Sequence, residues 1–336
     1  MRLTRLLYVL FLVFTVTSCF EKDKPMSPFV WDGQTFIMEQ SIYTHQIFFN
    51  IGTNSIAKSN HNEDWDLSFE SSAKGWHIRV NSSNFINIYR TYIFDFSISQ
   101  FQVDEKNWRY DKSNGDHDST AIGTWVDISK QPYTYSGQVY LIGQYDGTRY
   151  KPLKKLVFTQ VNDTSYKFTY ADLNGDNTKD AVIIKDSACN YSYFSITLGQ
   201  QLKIEPTRNE WDLLFTQYET TLFDNGKPVP YLVRGVLINP YQVQAAVDSS
   251  KVFENISMTD VPGFSFKTDW DAIGYNWKSV IIDIQSNSAK YNVRSGYNYT
   301  IRDVKGNYYK LRFVSFYNKT GEEGYPTFDF LKLNTD

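Results

Sequence analysis

An acidic loop in the middle of the chain has the residues with the clearest spacing for chemistry. Oxygen-bearing side chains occupy alternate positions, at Asp172, Asn174, Asp176, Thr178 and Asp180. Carboxylate and amide oxygens are hard ligands, and this spacing lets one loop wrap around a calcium ion. The sequence therefore predicts a calcium site formed by Asp172, Asn174, Asp176 and Asp180.

The same loop departs from an EF-hand at two positions. Its sixth residue is Asn177, where the EF-hand needs glycine, and its twelfth is Ile183, where the EF-hand has a bidentate glutamate. An ordinary turn rich in Asp, Asn and Gly, leaving a β-strand, would have the same composition. Both interpretations remain open from the sequence.

The four histidines all lie in the first part of the chain, at His45, His61, His77 and His117. None is spaced from another His or Cys as in a zinc motif, so surface or structural roles are expected. His77 is the strongest functional candidate and is predicted to lie on a strand, facing away from Trp76. No Ser-His-Asp or Cys-His arrangement is recognisable, and we predict a protein that is not an enzyme.

The N-terminus has the pattern of a bacterial lipoprotein signal. Arg2 and Arg5 precede an apolar run over residues 6–14, and residues 16–19 then read Val-Thr-Ser-Cys. The apolar run is too short to span a bilayer. A plain signal peptide followed by an incidental cysteine is the alternative.

From this pattern we predict a signal peptide over residues 1–18, a lipid on Cys19 and a lipidated tether over residues 19–35, polar at residues 21–25. Acyl chains on Cys19 would anchor the protein without a spanning helix, at the outer membrane and on the cell surface. With Cys19 modified, Cys189 has no partner for an intramolecular disulfide.

The charge of the mature chain argues against nucleic acid as a partner. The full chain has 34 basic residues, and removal of Arg2 and Arg5 leaves 32 against 37 acidic ones, a net charge of −5. Such a chain has no excess of cations to neutralise a phosphate backbone. The only membrane contact we expect is through the lipid.

The sequence contains a tandem repeat. Trp65 and Trp211 are 146 residues apart, and so are Phe48 and Phe194. Further pairs follow in the same order: Trp-Asp-Leu at 65–67 and 211–213, Ala-Ile-Gly at 121–123 and 272–274, and Lys-Leu-X-Phe at 155–158 and 310–313. A duplicated unit of about 150 residues is close to the usual size of a domain. We predict two domains, at residues 36–184 and 185–336, each with its own core.

Strand patterns dominate both repeats. Residues 308–316 alternate Tyr309, Leu311 and Phe313 with Lys310 and Arg312, and Gly-containing turns separate such runs. Trp-Asp-Leu is expected to be a core strand whose aspartate accepts a hydrogen bond from a turn or backbone donor. The predicted fold is all-β, with two tandem antiparallel domains of sandwich or barrel-like form.

Four segments of the second repeat carry a resemblance to a known family. They are NEWDLLFTQY (209–218), PYLVRGVLINP (230–240), DWDAIGYNWK (269–278) and GNYYKLRFVSFYNKTGEEGYPTF (306–328). They resemble the HmuY-like family, all-β lipoproteins of Bacteroidetes whose best-known members bind haem as hemophores. The first repeat resembles the family more faintly, through residues 64–83. Acidic residues after Cys19 also resemble the surface-export signal of Bacteroidetes lipoproteins.

The resemblance implies haem binding by His or Met ligands between the GVL and KLRF strands. This segment of the second repeat, residues 239–310, has no histidine, and its only thioether is Met258. Met258 and Tyr275, together with His77 of the first repeat, are therefore the candidate haem ligands, with Tyr291 as a further tyrosine. Met258 as a packing residue is the alternative.

By resemblance, the expected function is capture of haem or a related flat apolar tetrapyrrole for uptake, with an outer-membrane receptor as a partner. The alternative is a structural or adhesion lipoprotein, stabilised by calcium, that binds glycan or protein without haem. The missing histidines in the second repeat weigh against haem, and a Soret band on titration would favour it.

Overall fold

The computed structural model describes residues 32–224, 226–283 and 288–334. The predicted signal peptide, Cys19 and most of the predicted tether lie outside these residues. Within them the fold is all-β, as predicted, with antiparallel strand pairs and only short 3-10 turns. No helix in this part of the chain is both long enough and apolar enough to cross a membrane.

The strands follow one another closely along the chain. The first thirteen are β1 (Gln34–Ile37), β2 (His45–Asn50), β3 (Ser55–His61), β4 (Leu67–Glu70), β5 (Ile78–Val80), β6 (Ile86–Arg90), β7 (Trp108–Arg109), β8 (Val126–Asp127), β9 (Thr134–Tyr135), β10 (Val139–Tyr145), β11 (Tyr150–Val161), β12 (Ser165–Ala171) and β13 (Lys179–Ile184). The others are β14 (Tyr191–Ser195), β15 (Gln200–Leu202), β16 (Leu213–Asp224), β17 (Lys227–Ile238), β18 (Gln244–Asp248), β19 (Lys278–Asp283), β20 (Ser288–Val293), β21 (Asn298–Arg302), β22 (Tyr308–Tyr317) and β23 (Glu323–Leu333). The 3-10 turns are Ser82–Asn84, Glu105–Asn107, His117–Ser119, Phe253–Asn255 and Met258–Gly263.

Four open sheets hold most of these strands. Two belong to the part of the chain from β4 to β15, in the orders β13-β12-β11-β10-β6-β7 and β15-β14-β4-β5. The other two have the orders β1-β23-β22-β21-β18 and β17-β16-β2-β3. Two ribbons, β8-β9 and β19-β20, complete the described strands. None of these sheets closes into a barrel, so of the two predicted forms the sandwich is the one observed.

The two repeats exchange one hairpin each. Leu67 and Leu213 of the two Trp-Asp-Leu motifs pair with Phe194 and Phe49, so β14–β15 is the counterpart of β2–β3. Yet β2 pairs with β16 of the second repeat, and β14 pairs with β4 of the first. Each hairpin therefore completes the four-stranded sheet of the other repeat.

The aspartates of the two Trp-Asp-Leu motifs bind across this exchange. The Asp66 carboxylate accepts a hydrogen bond from the backbone N–H of Ile196 at 2.7 Å. The Asp212 carboxylate accepts one from Ile51 at 2.9 Å, which is the equivalent contact in the opposite direction, and another from Val304 at 2.9 Å. The prediction that these aspartates satisfy backbone donors is confirmed.

The lysine of Lys-Leu-X-Phe has the same role in both repeats. Lys155 and Lys310 are only 1% and 5% exposed, although the alternation on β22 placed Lys310 on a polar face. The ammonium of Lys155 donates to the carbonyls of Phe96 and Ile98, and that of Lys310 donates to three carbonyls between residues 253 and 256. A buried ammonium needs such acceptors to offset its lost hydration. Each lysine thereby holds a loop against its own sheet: Lys155 the loop at residues 96–98, and Lys310 the loop at residues 253–256.

The two largest hydrophobic cores do not follow the boundary between the repeats. The first draws only on residues between Leu67 and Ile196. The second joins residues 38–51 to residues 213–330. Where they meet, a smaller apolar cluster contains Phe48, Ile204 and Trp211.

The residues of the first core therefore form one continuous segment of the chain. This segment lies, in sequence, between the two segments that form the second core. The residues from Gly33 onward form one compact unit. The predicted division into residues 36–184 and 185–336 describes the repeats, and as a statement about independent folding it stays a prediction. The exchange of hairpins changes which fragments we expect to fold.

Candidate functional site

His77 lies directly before β5, where β4 has turned back on itself. The prediction that it sits on a strand facing away from Trp76 was wrong, since the two rings stack at 4.1 Å between their centroids. The His77 Nδ1 donates to the carboxylate of Glu70, the last residue of β4, at 2.7 Å. The other carboxylate oxygen accepts from the Ser72 hydroxyl at 2.8 Å. Glu70 thus hydrogen-bonds both to Ser72 in the loop between β4 and β5 and to the imidazole of His77.

A second imidazole comes from a distant turn. His117 begins the 3-10 turn His117–Ser119, and its ring centroid is 4.1 Å from that of His77. The buried Arg79 positions this turn, because its guanidinium donates to the carbonyls of Gly115 and Asp116. Trp270 stacks on the same guanidinium at 4.4 Å.

The result is a cluster of one carboxylate and two imidazoles, which we call the Glu70–His77–His117 cluster. One ligand atom from each residue lies within 4.8 Å of the other two. It is the one group of three or more His, Cys, Asp or Glu side chains with this property among the residues that the structure describes. Glu70 and His77 are half-buried, and His117 is exposed.

The electrostatics of the cluster favour an ionised carboxylate. Burial acts to raise the pKa of Glu70, but the hydrogen bonds from His77 and Ser72 outweigh burial and lower that pKa to about 2. The pKa of His117 is lowered, first by burial and then by the neighbouring His77 and Arg79. A neutral imidazole beside a carboxylate is the state in which both groups can bind a metal.

The other two candidate haem ligands lie elsewhere. Met258 begins the 3-10 turn Met258–Gly263 and packs, half-buried, against a small cluster that contains Ile256, Val261 and Leu333. This environment matches the alternative interpretation of Met258 as a packing residue. The neighbours of Met258 include none of the residues around His77.

Of the two tyrosine candidates, Tyr291 packs against the second core. Tyr275 is half-buried and close to Tyr218, whose pKa is raised by burial and, to a lesser extent, by Asp271 and Tyr275. Tyr291 packs on Phe316 at 5.0 Å, and burial raises its pKa. The raised pKa of Tyr291 opposes the ionisation that a tyrosinate ligand requires. The structure therefore does not bring Met258, Tyr275 and His77 together.

The acidic loop is a hydrogen-bonded turn between β12 and β13. The Asp172 carboxylate binds the Lys154 ammonium and the Asn177 side-chain amide, and Asp176 accepts from the Asn174 amide at 2.8 Å. Asp180 lies on β13 and accepts from the Thr169 hydroxyl at 2.6 Å. Calcium binding by Asp172, Asn174, Asp176 and Asp180 stays a prediction, and it would require these contacts to be rearranged.

A cavity of about 110 Å³ lies where the two cores meet. Its wall includes Trp65, Arg79, Tyr193, Glu205 and Trp211. Pockets for drug-sized ligands are roughly 300–1,000 Å³ in volume. The cavity is therefore too small for a tetrapyrrole, and a haem would have to bind elsewhere on the protein.

Glu70 and His117 are the site residues that the sequence did not indicate. They lie 7 and 40 residues from His77, and neither spacing belongs to a metal motif. The contact depends on the turn before β5 and on Arg79, which are features of the folded chain.

Comparison with known proteins bears on the second repeat. Residues 232–330 match the model of the HmuY protein family. This segment is HmuY-like. The match runs from β17 to β23, so it confirms the resemblance for the second repeat. No curated protein matches the chain.

Several solved structures are similar at low identity. Apo PinO from Porphyromonas gingivitis is 10% identical, with 91% of this chain and 100% of that chain covered and a TM-score of 0.26. The apo HmuY analogue TFO from Tannerella forsythia is 10% identical, with 90% and 96% covered and a TM-score of 0.24. A Bacteroides vulgatus ATCC 8482 protein described as HmuY-like and heme-binding is 16% identical, with 53% and 90% covered and a TM-score of 0.18. At these scores the likenesses add nothing to the family match.

Proposed function

We propose that this protein is a lipid-anchored carrier at the bacterial surface that binds haem or a related tetrapyrrole for uptake. The match of residues 232–330 to the HmuY family is the observation that carries the proposal. Haem binding of the kind that the resemblance implies also requires side chains in this protein that can bind the haem iron.

Among the three candidate iron ligands, the geometry favours His77. Its Nδ1 is engaged by Glu70, which leaves Nε2 for a metal, and a carboxylate on the far nitrogen is the usual second partner of a ligating histidine. Met258 instead packs against apolar neighbours. Tyr275 is half-buried next to another tyrosine.

Haem titration of the mature protein tests this proposal. We expect a Soret band in wild type that is lost in His77→Ala and kept in Met258→Ala. Loss of an outer-shell partner costs roughly 10- to 100-fold in metal affinity, and loss of the ligand itself should cost at least as much. His45→Ala, which removes a histidine away from the cluster, is the matched control.

Two other outcomes would change the proposal. Tighter binding of ferrous than ferric haem, abolished by Met258→Ala, would make Met258 the ligand, since Met ligation raises the potential. No Soret band for wild type in either redox state would reject haem as the ligand.

The lipid anchor is tested separately. We expect Cys19→Ala to be released from the membrane fraction or misprocessed, because the polar segment at residues 21–25 has no membrane affinity by itself. Metabolic labelling with a fatty acid should mark wild type and not the variant. A variant that stays in the membrane fraction, with an unlabelled wild type, would contradict the prediction.

An exposed aromatic surface favours adhesion as a second candidate function. Tyr92 and Phe94, in the loop after β6, are 66% and 65% exposed. Large apolar side chains that are adjacent and exposed are a feature of binding surfaces for protein or glycan. Loss of cell or glycan binding in Phe94→Ser, with haem absent throughout, would support this candidate.

A further inference from the structure

The Glu70–His77–His117 cluster has the composition of a transition-metal site. Two imidazoles with one carboxylate are the protein ligands of many zinc centres, in which water fills the fourth position. Imidazole suits zinc, copper and nickel, whereas calcium and magnesium prefer sets made only of oxygen. We infer that the Glu70–His77–His117 cluster binds a divalent transition-metal ion of the zinc class.

The geometry is close to what such an ion needs. Ligand atoms about 2.1 Å from a tetrahedral ion lie about 3.4 Å from one another. In the structure the three ligand atoms lie within 4.8 Å of one another, so closure on the ion needs a shift of about an ångström. His117 can supply that shift, because its side chain is exposed on a short 3-10 turn.

Two members of the cluster are held in place before any ion binds. The ion would take the place of the proton that now lies between His77 Nδ1 and the Glu70 carboxylate, 2.7 Å apart, and the proton would pass to solvent. The Ser72 hydroxyl, which donates to the other carboxylate oxygen, would still hold Glu70 at the end of β4. Trp76 packs on the face of the His77 ring. Ligands that are already ordered lose less entropy on binding.

Two neighbouring cationic side chains, Arg79 and Lys185, would repel the ion, but both donate hydrogen bonds to backbone carbonyls. The Arg79 guanidinium is directed at the carbonyls of Gly115 and Asp116. The Lys185 ammonium donates to the carbonyls of Ser72, Ala73 and Gly75, the last at 2.6 Å. These contacts leave Glu70 as the charged partner of the ion.

The chain offers a matched control for this site. His45 and His61 face each other across β2 and β3, with ring centroids 4.4 Å apart, which is nearly the spacing of His77 and His117. Asp64 is the nearby acid, but in the described part of the chain this pair does not form a group of three ligand atoms within 4.8 Å of one another. Any weak binding to two adjacent imidazoles should therefore be common to both pairs, and tighter binding should be specific to the cluster.

The test is titration of the mature, haem-free protein, without a polyhistidine tag, with Co²⁺ and then Zn²⁺. We expect intense visible Co²⁺ bands of a tetrahedral site, displaced by one equivalent of Zn²⁺. His77→Ala and His117→Ala should weaken binding at least tenfold, while His45→Ala should leave it unchanged. Because Glu70→Gln can disturb the loop before β5, His117→Ala, on the exposed turn, is the decisive variant.

The ion and haem would compete for His77, but the two proposals fail separately. His117→Ala removes an ion ligand and keeps His77 with its Glu70 partner, so it should reduce Co²⁺ binding and leave a haem Soret band in place. Absence of Co²⁺ bands in wild type, or equal loss of binding in His45→Ala and His117→Ala, would overturn the metal site. A Soret band unaffected by His77→Ala would count against His77 as the haem ligand and would leave the metal site untouched.

Discussion

A fragment that begins at Lys185 should not fold, even though it contains the whole second repeat. It lacks residues 33–62, which contribute five side chains at most 1% exposed to the second core: Met38, Ile42, Ile47, Phe49 and Ile51. Burial of such side chains contributes roughly 1.5–3 kcal/mol each, so about 8–15 kcal/mol is lost. That amount equals the entire stability of a typical domain.

The complementary fragments should behave differently. Residues 64–203 contain all of the first core and both of its sheets, and we expect this fragment to melt cooperatively with a β-type circular dichroism spectrum. Residues 33–62 joined by a flexible linker to residues 204–334 should restore the second core.

Circular dichroism and thermal melts of the three fragments decide between the two divisions of the chain. Cooperative melting of the fragment from Lys185, with residues 64–203 unfolded, would show that the repeats fold as the sequence divides them. The division into residues 64–203 and residues 33–62 with 204–334 would then describe how the side chains pack, and not which fragments fold independently.

The protein should be more stable at pH 5 than at pH 8, because two carboxyl groups are buried where the cores meet. Glu205 and Glu219 are 2% and 0% exposed. Burial raises the pKa of each to about 7, although both accept hydrogen bonds, Glu205 from Tyr191 N–H and Glu219 from the Asn87 amide.

The sign follows from proton linkage. A carboxyl whose pKa is higher in the folded than in the unfolded state stabilises the fold when protonated. That stability is complete below the unfolded pKa of about 4.3 and is lost as the pH rises through about 7. With one pKa unit worth about 1.4 kcal/mol, each group should reduce the free energy of unfolding by about 3 kcal/mol between pH 4.3 and pH 8.

Denaturant unfolding at several pH values measures this effect. Glu205→Gln and Glu219→Gln should each remove their share of the decline, whereas Glu39→Gln, at an exposed position, should not. The comparison with each variant isolates these groups from His45 and His117, whose pKa values are lowered mainly by burial and whose effect on stability has the opposite sign. An equal decline in wild type and both variants would show that the two carboxyls ionise as freely in the fold as outside it.

Much of the local structure could be predicted from the sequence, because it depends on short-range patterns. Strand alternation, the turn signals and the absence of a helical period led to the all-β fold, which the structure confirms. The role of Asp66 and Asp212 as acceptors for backbone donors was also readable from the motif. The resemblance of the second repeat, which rests on ordered motifs, is confirmed over residues 232–330.

Short patterns along the chain were therefore enough to predict the class of fold, the repeat and the family resemblance. Which repeat each hairpin joins was decided by tertiary structure, since equivalent hairpins have similar edges and can pair with either partner strand. The same holds for the Glu70–His77–His117 cluster: its members come from a strand end, a loop and a distant turn, and only the packing of Arg79 brings His117 to His77. Spacing along a chain records neighbours within one element, whereas a site built from several elements exists only after the chain has folded.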